Sequence, residues 1–289
     1  MALTGEHQHP DIKIFVSAHK PAVFPEGNSI LPVQVGVANA ARRFDSTLHD
    51  DEGENISDKN PRYCELTAQY WAWKNEDADY YGFCHYRRYF DFTDTPHQEN
   101  DYGEIIDSYI DSQTIEKYGI NDGDISKAVD GWDVITTPLN DTRRIGGFTN
   151  LKQHWDADRH LRLKDLRHMY DILCARHPDY KADADAVLNG HTVSFLATCL
   201  FMKKDIFFEY NEWLFPLLDE FAEHTDFSKM DVQTTRTVGI FLNVYLIFFL
   251  HISSALEPIG KSSDCSACIF CIRNRSPSLN RCRRILKPL

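Results

Sequence analysis

Residues 60–90, "NPRYCELTAQYWAWKNEDADYYGFCHYRRYF", change period midway, and that change restricts the fold more than any other feature of the chain. Asn60 followed by Pro61 is a helix start, with Asn as N-cap and Pro preset at the first helical position. The spacing predicts a helix running to Lys74 or Asn75. From about Asp79 the residues become aromatic and branched, which predicts a strand, and Gly82 within it allows a second backbone or ring to approach closely.

The rest of the chain repeats this alternation. Residues 12–18, "IKIFVSA", form a buried first strand ending at Ser17, Ala18, His19 and Lys20. Residues 45–60 are polar and make a long loop, a class often tied to function. "GWDVITTP", 131–138, is a short strand stopped by Pro138, and "LNDTRRIGGF" after it is a mobile loop. Helical spacing returns over 151–177, a strand over 193–202, and an amphipathic helix or helix pair broken at Pro216 over 203–224. Strands alternating with helices predict an α/β sheet rather than an all-α bundle, no internal repeat is evident, and 289 residues suffice for one large domain or two small ones.

Residues 237–256 contain no Asp, Glu, Lys or Arg, and twenty such positions suffice to cross a bilayer of about 30 Å. Asn243, His251, Ser253 and Ser254 argue for a buried core helix, with membrane association as the alternative. Domain limits follow as a disordered start at 1–10, a domain over 11–257, and a basic, cysteine-rich tail over 258–289.

Composition narrows the partners. A formal net charge of -12 on 289 residues disfavours nucleic acid, which needs a basic surface to displace counterions. From residue 261 onward seven Lys or Arg face one acid, Asp264, so the tail is near +6 and the remainder near -18. Such a tail is either a solvated end or a peripheral contact with an anionic membrane. The first residues carry no basic stretch followed by a long apolar run, so a cytoplasmic location is expected and the cysteines should be reduced. Cys64, Cys84, Cys174 and Cys199 suit small core positions. Cys265, Cys268, Cys271 and Cys282 offer four thiols whose spacing departs from the usual zinc knuckles, and a zinc site or acylation are minor alternatives for them.

In an open α/β sheet, ligands bind beyond the carboxyl ends of the strands. Three predicted strand ends there present Ser17, His19 and Lys20; His85, Tyr86, Arg87 and Arg88; and Thr136 with Thr137. Arg offers forked donors matched to phosphate oxygens and Lys a point charge, so a diphosphate is the simplest ligand to expect. The competing reading has Arg87 and Arg88 merely pairing with surface acids. Glu65, an isolated acid in an aromatic helix, either binds a ribose or sugar hydroxyl or satisfies those arginines. Tyr70, Trp71, Trp73 and Tyr81 suit ring stacking, but at helical spacing they more often build core. The chain has no GxSxG, HExxH, P-loop or GxGxxG signature, and "DAD" at 77–79 precedes its strand instead of following it as a metal-binding DxD would.

"IKIFVSAHKP", "ENISDKNPRYCELTAQYWAWKN", "ADYYGFCHYRRYF" and "WDVITTP" together resemble a bacterial family of capsular and exopolysaccharide biosynthesis glycosyltransferases, known also as domain of unknown function 4422. The resemblance covers roughly residues 11–250. It implies an α/β, GT-A-like, Rossmann-related fold, a mixed sheet flanked by helices in a single domain, and hexosyl transfer from a nucleotide sugar, UDP-linked by expectation and galactofuranosyl in some members. The acceptor implied is a polyprenyl-linked glycan at the inner face of the cell membrane, in capsular, exopolysaccharide or O-antigen biosynthesis.

The family's motifs fall on Ala18, His19 and Lys20; on Tyr63, Glu65, Thr67, Tyr70 and Trp71; and on His85, Tyr86, Arg87 and Arg88. The expected donor-binding set is therefore Ser17, His19, Lys20, Tyr63, Thr67, Tyr86, Arg87 and Arg88, with Lys20, Arg87 and Arg88 carrying the diphosphate charge. Thr137, Arg143 and Arg144 are assigned to the acceptor. The general base is one of Glu65, His85 and Asp91. No cofactor is identified; a divalent Mn or Mg ion is compatible but not required, and His85 with Asp91 or Asp133 is the alternative metal-holding set. Relatives carry a Glu-Arg-Leu helix turn before "LNVYL", whereas here Gly239-Ile240-Phe241 runs directly into Leu242. A catalytically impaired nucleotide-sugar-binding relative is therefore the alternative to an active enzyme.

Overall fold

The computed structural model describes residues 10–137, 139–194 and 197–255, with side chains as far as residue 250. The cysteine-rich basic tail, the N-terminal residues 1–9 and the strand-stopping Pro138 lie outside the described residues.

The chain opens with β1 (Ile12–Ala18), β2 (Ile30–Gln34) and the two-residue β3 (Leu48–His49). The helices α1 (Asn60–Tyr63) and α2 (Leu66–Asn75) lead into β4 (Tyr80–His85). Next come α3 (Ser112–Lys117), α4 (Asp122–Val129), β5 (Val134–Thr136), β6 (Asn140–Asp141) and α5 (Thr142–Ile145). Three helices follow, α6 (Leu151–Ala157), α7 (Leu163–Arg176) and α8 (Lys181–Asn189), then β7 (Thr192–Val193) and β8 (Leu200–Lys203). The described fold closes with α9 (Lys204–Glu223), α10 (Val232–Thr235), α11 (Thr237–Ile240) and α12 (Leu242–Ala255).

Six strands form one mixed sheet in the order β3-β2-β1-β4-β8-β5, and β6 pairs with β7 separately. β1, β2, β3 and β4 pair in parallel, whereas β8 runs antiparallel to both β4 and β5. The carboxyl ends of β1, β4 and β5 therefore point the same way. The α/β class is the one expected from the alternation of periods, and the mixed sheet flanked by helices in one domain is the one the resemblance implies.

Strand alternation sorts the core into two faces. Phe15, Tyr81 and Phe83 face α2, α9 and α12, while Ile14, Val16, Tyr80 and Cys84 face the segment after β4 together with α3 and α4. The aromatic density of residues 63–90 is mostly this first core. Phe15 meets Trp71 edge-on at 6.2 Å, and Tyr81 stacks on Phe207 at 4.4 Å. Gly82 faces the opposite side, where an added Cβ would stand 2.5 Å from Phe201 Cε1, so the expected close approach is a ring packed on bare backbone.

Several expectations need correction. The helix from Asn60 is two helices, because Cys64 takes φ 53°, ψ -130° and breaks it. Asn60 is the first helical residue rather than the N-cap; its amide donates to Cys64 O and Thr67 Oγ1, closing the end of α1. The 151–177 helix divides at residues 158–162, and the 203–224 segment is one helix despite Pro216. The expected strand over 193–202 contributes only its ends, Thr192–Val193 to the small sheet and Leu200–Lys203 to the large one.

The long loop before α1 is held by one carboxylate. Asp50, fully buried, accepts from Gly36 N, Val37 N, Ser57 Oγ and Thr67 Oγ1 at 2.5–3.1 Å, tying β2, the loop and α2 together. The apolar run after residue 237 packs as core: Phe241, Leu242, Val244, Tyr245 and Phe248 are buried. Among the described residues no helix is long and apolar enough to cross a membrane.

Candidate functional site

Ser17 and His85 are paired residues at the carboxyl ends of β1 and β4, and both project to the α2 face. α2 starts at Leu66 against that face, so Glu65, at its N-terminal boundary, stands beside His85, with Oε1 3.8 Å from Nε2. The backbone N–H of Arg87 donates to His85 Nδ1 at 3.4 Å, which leaves the ring proton on Nε2, toward Glu65.

β4 ends in a tight turn, where His85 and Arg88 form an isolated bridge and Arg88 N donates to His85 O at 2.7 Å. The turn gathers the cations around one aromatic ring. Arg87 Cζ lies 5.0 Å and Lys20 Nζ 5.6 Å from the centre of the Tyr86 ring, which His19 meets edge-on at 5.4 Å. His19 is 6.3 Å from His85, centre to centre.

The electrostatics follow from this crowding. Burial, then the charges of Arg88, Arg87, His19 and Arg236, push His85 down to about 3, so the ring is neutral at ordinary pH. His19 is lowered by burial and by Lys20, Arg87 and Arg236, with Glu65 opposing. Arg236 was not anticipated from sequence; it follows α10 and its Nε donates to Cys64 Sγ at 3.2 Å. Cys64 is pushed up to about 11, chiefly by burial, so it accepts this bond as a neutral thiol.

Among the described residues, Lys20, Arg87, Arg88 and Arg236 make no salt bridge, although the protein carries 43 acids against 31 Lys and Arg. Surface pairing of Arg87 and Arg88, the competing expectation, is not found among the described residues. Nor, among the described residues, does Glu65 salt-bridge an arginine; its Oε1 stands 3.8 Å from Nε2 of the neutral His85 ring.

Other predicted residues are placed elsewhere. Tyr63 is buried and donates to Asp219 Oδ1 at 2.5 Å, locking α1 to α9. Thr67 belongs to the Asp50 network. Asp91 is buried and accepts from Thr93 N and Thr93 Oγ1, with His97 Nε2 at 3.7 Å, so its carboxylate serves the loop after β4. Thr137 is buried just past β5; Arg143 is exposed and paired with Asp141 at 2.6 Å; Arg144 is exposed on α5. Asp133 pairs with Lys203 at the amino end of β5, far along the sheet from His85, so the two do not form a metal set. Among the described residues no three His, Cys, Asp or Glu side chains gather as metal ligands.

Arg236 and Cys64 carried no local signal. An arginine in "TTRT" is unremarkable until the chain returns α10 and α11 to the corner between α1 and α2. Gly239 permits that return: an added Cβ would stand 3.1 Å from Cys64 Cβ, Cys64 Sγ and Tyr63 O.

No curated protein matches the chain. A solved structure described as "WbbM bifunctional glycosytransferase apo structure" is similar, at 31% identity and a TM-score of 0.83, over 90% of this chain. The chain spans 45% of that protein. The fold is therefore shared with part of a glycosyltransferase. A family model described as "Domain of unknown function (DUF4422)" matches residues 13–252, and the chain belongs to that family.

Proposed function

We propose that the chain is a glycosyltransferase that takes its donor as a nucleotide sugar, with the donor diphosphate on Lys20, Arg87 and Arg88 beyond β1 and β4. The observation that carries this reading is that, among the described residues, these cations have no carboxylate partner in a protein of 43 acids. A cationic cluster left unneutralised stabilises an anion, and departure of a nucleoside diphosphate develops negative charge where fixed cations are most effective. The likeness to a bifunctional glycosyltransferase supports the class of reaction.

Roles follow from the geometry. Neutral His85 is a poor base and instead offers Nε2–H as a hydrogen-bond donor. Glu65, on the same face, is the carboxylate placed to accept the acceptor hydroxyl's proton. Ser17, His19 and Tyr86 line the donor position, while Tyr63 and Thr67 hold the α1–α2 corner from behind. Thr137, Arg143 and Arg144, beyond β5, belong to the acceptor side. We assign the donor as a UDP-hexose, with galactofuranose included. The acceptor is a polyprenyl-linked glycan of capsular, exopolysaccharide or O-antigen synthesis, met at the cytoplasmic face with the basic tail over 258–289 as a peripheral contact.

A second reading keeps donor binding without turnover. It rests on the direct run of α11 into α12, with only Phe241 between them. A panel of nucleotide sugars, each assayed for binding and for nucleoside diphosphate release with and without Mn or Mg, separates the two. Release from at least one donor supports the enzyme; firm binding with no release from any donor leaves the binding protein; no binding at all overturns both.

A further inference from the structure

We propose that Arg236 is a fourth anion-holding residue of this site, and that Cys64 aims it while leaving its charge uncompensated. The inference rests on the donor-site reading above and adds residues from a distant part of the chain to it.

A guanidinium has five N–H donors, and Arg236 spends one of them, Nε to Cys64 Sγ at 3.2 Å. Among the described residues its side chain has no other hydrogen bond and no salt bridge, yet it is half-buried. Neither terminal nitrogen is among the buried atoms without a partner, so both reach the surface and remain available to a ligand. The location is also right. The Arg236 charge is felt at both His19 and His85, and Glu65 acts on Arg236 in turn.

The partner chemistry is informative. A carboxylate at position 64 would fix the guanidinium and cancel its charge, whereas a neutral thiol is a weak acceptor that orients Nε only. The backbone at Cys64 adopts φ 53°, ψ -130°, unusual for a residue with a side chain, and persists because the surroundings hold it there. Gly239 on α11 packs on the same cysteine. The corner between α1 and α2 thus directs Glu65 to one side and supports Arg236 on the other. The ligand this arrangement fits is a diphosphate shared among Lys20, Arg87, Arg88 and Arg236.

Calorimetric titration of the full chain with UDP, GDP and inorganic pyrophosphate tests this, using wild type, Arg236→Ala, Arg236→Lys and Cys64→Asp. Urea unfolding of each variant is recorded alongside. Loss of a charge-assisted hydrogen bond to phosphate weakens binding by about ten- to a hundredfold. That loss is expected for Arg236→Ala with all ligands the wild type binds. Arg236→Lys should recover part of it, and Cys64→Asp, which neutralises the guanidinium in place, should reproduce it. Wild-type affinity in Arg236→Ala overturns the inference alone. So does a loss in Arg236→Lys equal to that in Arg236→Ala, since a retained charge then counts for nothing. A wild type that binds none of the three probes overturns the donor-site reading itself.

Discussion

Replacing His85 with Gln should remove about 2 kcal/mol of the stability the protein loses between pH 7.5 and pH 5.0. His85 is 3% exposed and faces the charges of Arg88, Arg87 and Arg236, with His19 alongside and Glu65 Oε1 3.8 Å from its Nε2. Its pKa is held near 3 in the folded protein against 6.5 as the ordinary value. Between these two values the unfolded chain binds a proton that the folded chain does not. Stability therefore falls as pH drops through this window, at up to about 1.4 kcal/mol per pH unit. Between pH 7.5 and pH 5.0 the contribution of this one ring is about 2 kcal/mol. The assay is urea unfolding of wild type and His85→Gln at both pH values. The difference between their pH responses isolates His85 from the other histidines, several of which are also lowered. A wild-type loss about 2 kcal/mol larger than the variant's is expected. Equal losses would refute the reasoning, because His85 would then titrate as it does in the unfolded chain.

Further outcomes follow from the same geometry. Gly82→Ala forces a Cβ against the Phe201 ring and should cost roughly 1–3 kcal/mol by urea unfolding, partly recovered by adding Phe201→Leu. Asp50→Asn keeps the size of the side chain but turns an amide toward some of its four donors; a loss on the order of 3 kcal/mol is expected in the same assay. A bound diphosphate should offset the cations around His85 and raise its pKa. UDP binding below pH 6 should therefore take up more protons in wild type than in His85→Gln, where His19 alone still responds, read as a difference in buffer-dependent calorimetric heat.

The parts of this fold legible in the sequence are those set by local period and by single residues of special geometry. β1 and β4 were readable from their apolar and aromatic runs, Gly82 from the need for close approach, and the gathering of Ser17, His19, Lys20 and His85–Arg88 from the rule that parallel strands end together. The apolar run beyond residue 237 was ambiguous by hydropathy alone. Its burial comes from Trp155, Tyr210, Trp213 and Phe221, contributed by α6 and α9. What stayed hidden depended on chain return. The break at Cys64 has no glycine to announce it, the four donors of Asp50 come from three separate segments, and Arg236 reaches the site from 172 residues beyond Cys64. Tyr63 and Thr67 enter the expected donor set only through the resemblance, whose helix motif falls on them together with Glu65. A broken helix turns them to Asp219 and Asp50 instead.

The central claim, that the unpaired cations beyond β1 and β4 hold the diphosphate of a sugar donor, is tested most directly by nucleoside diphosphate release. The measurement compares wild type with an Arg87→Ala/Arg88→Ala variant across a panel of nucleotide sugars. Saturable release from at least one donor, with KM raised or turnover lost in the double variant, is the predicted result. Release that is indifferent to both arginines, or a wild type that neither binds nor cleaves any donor, would contradict it.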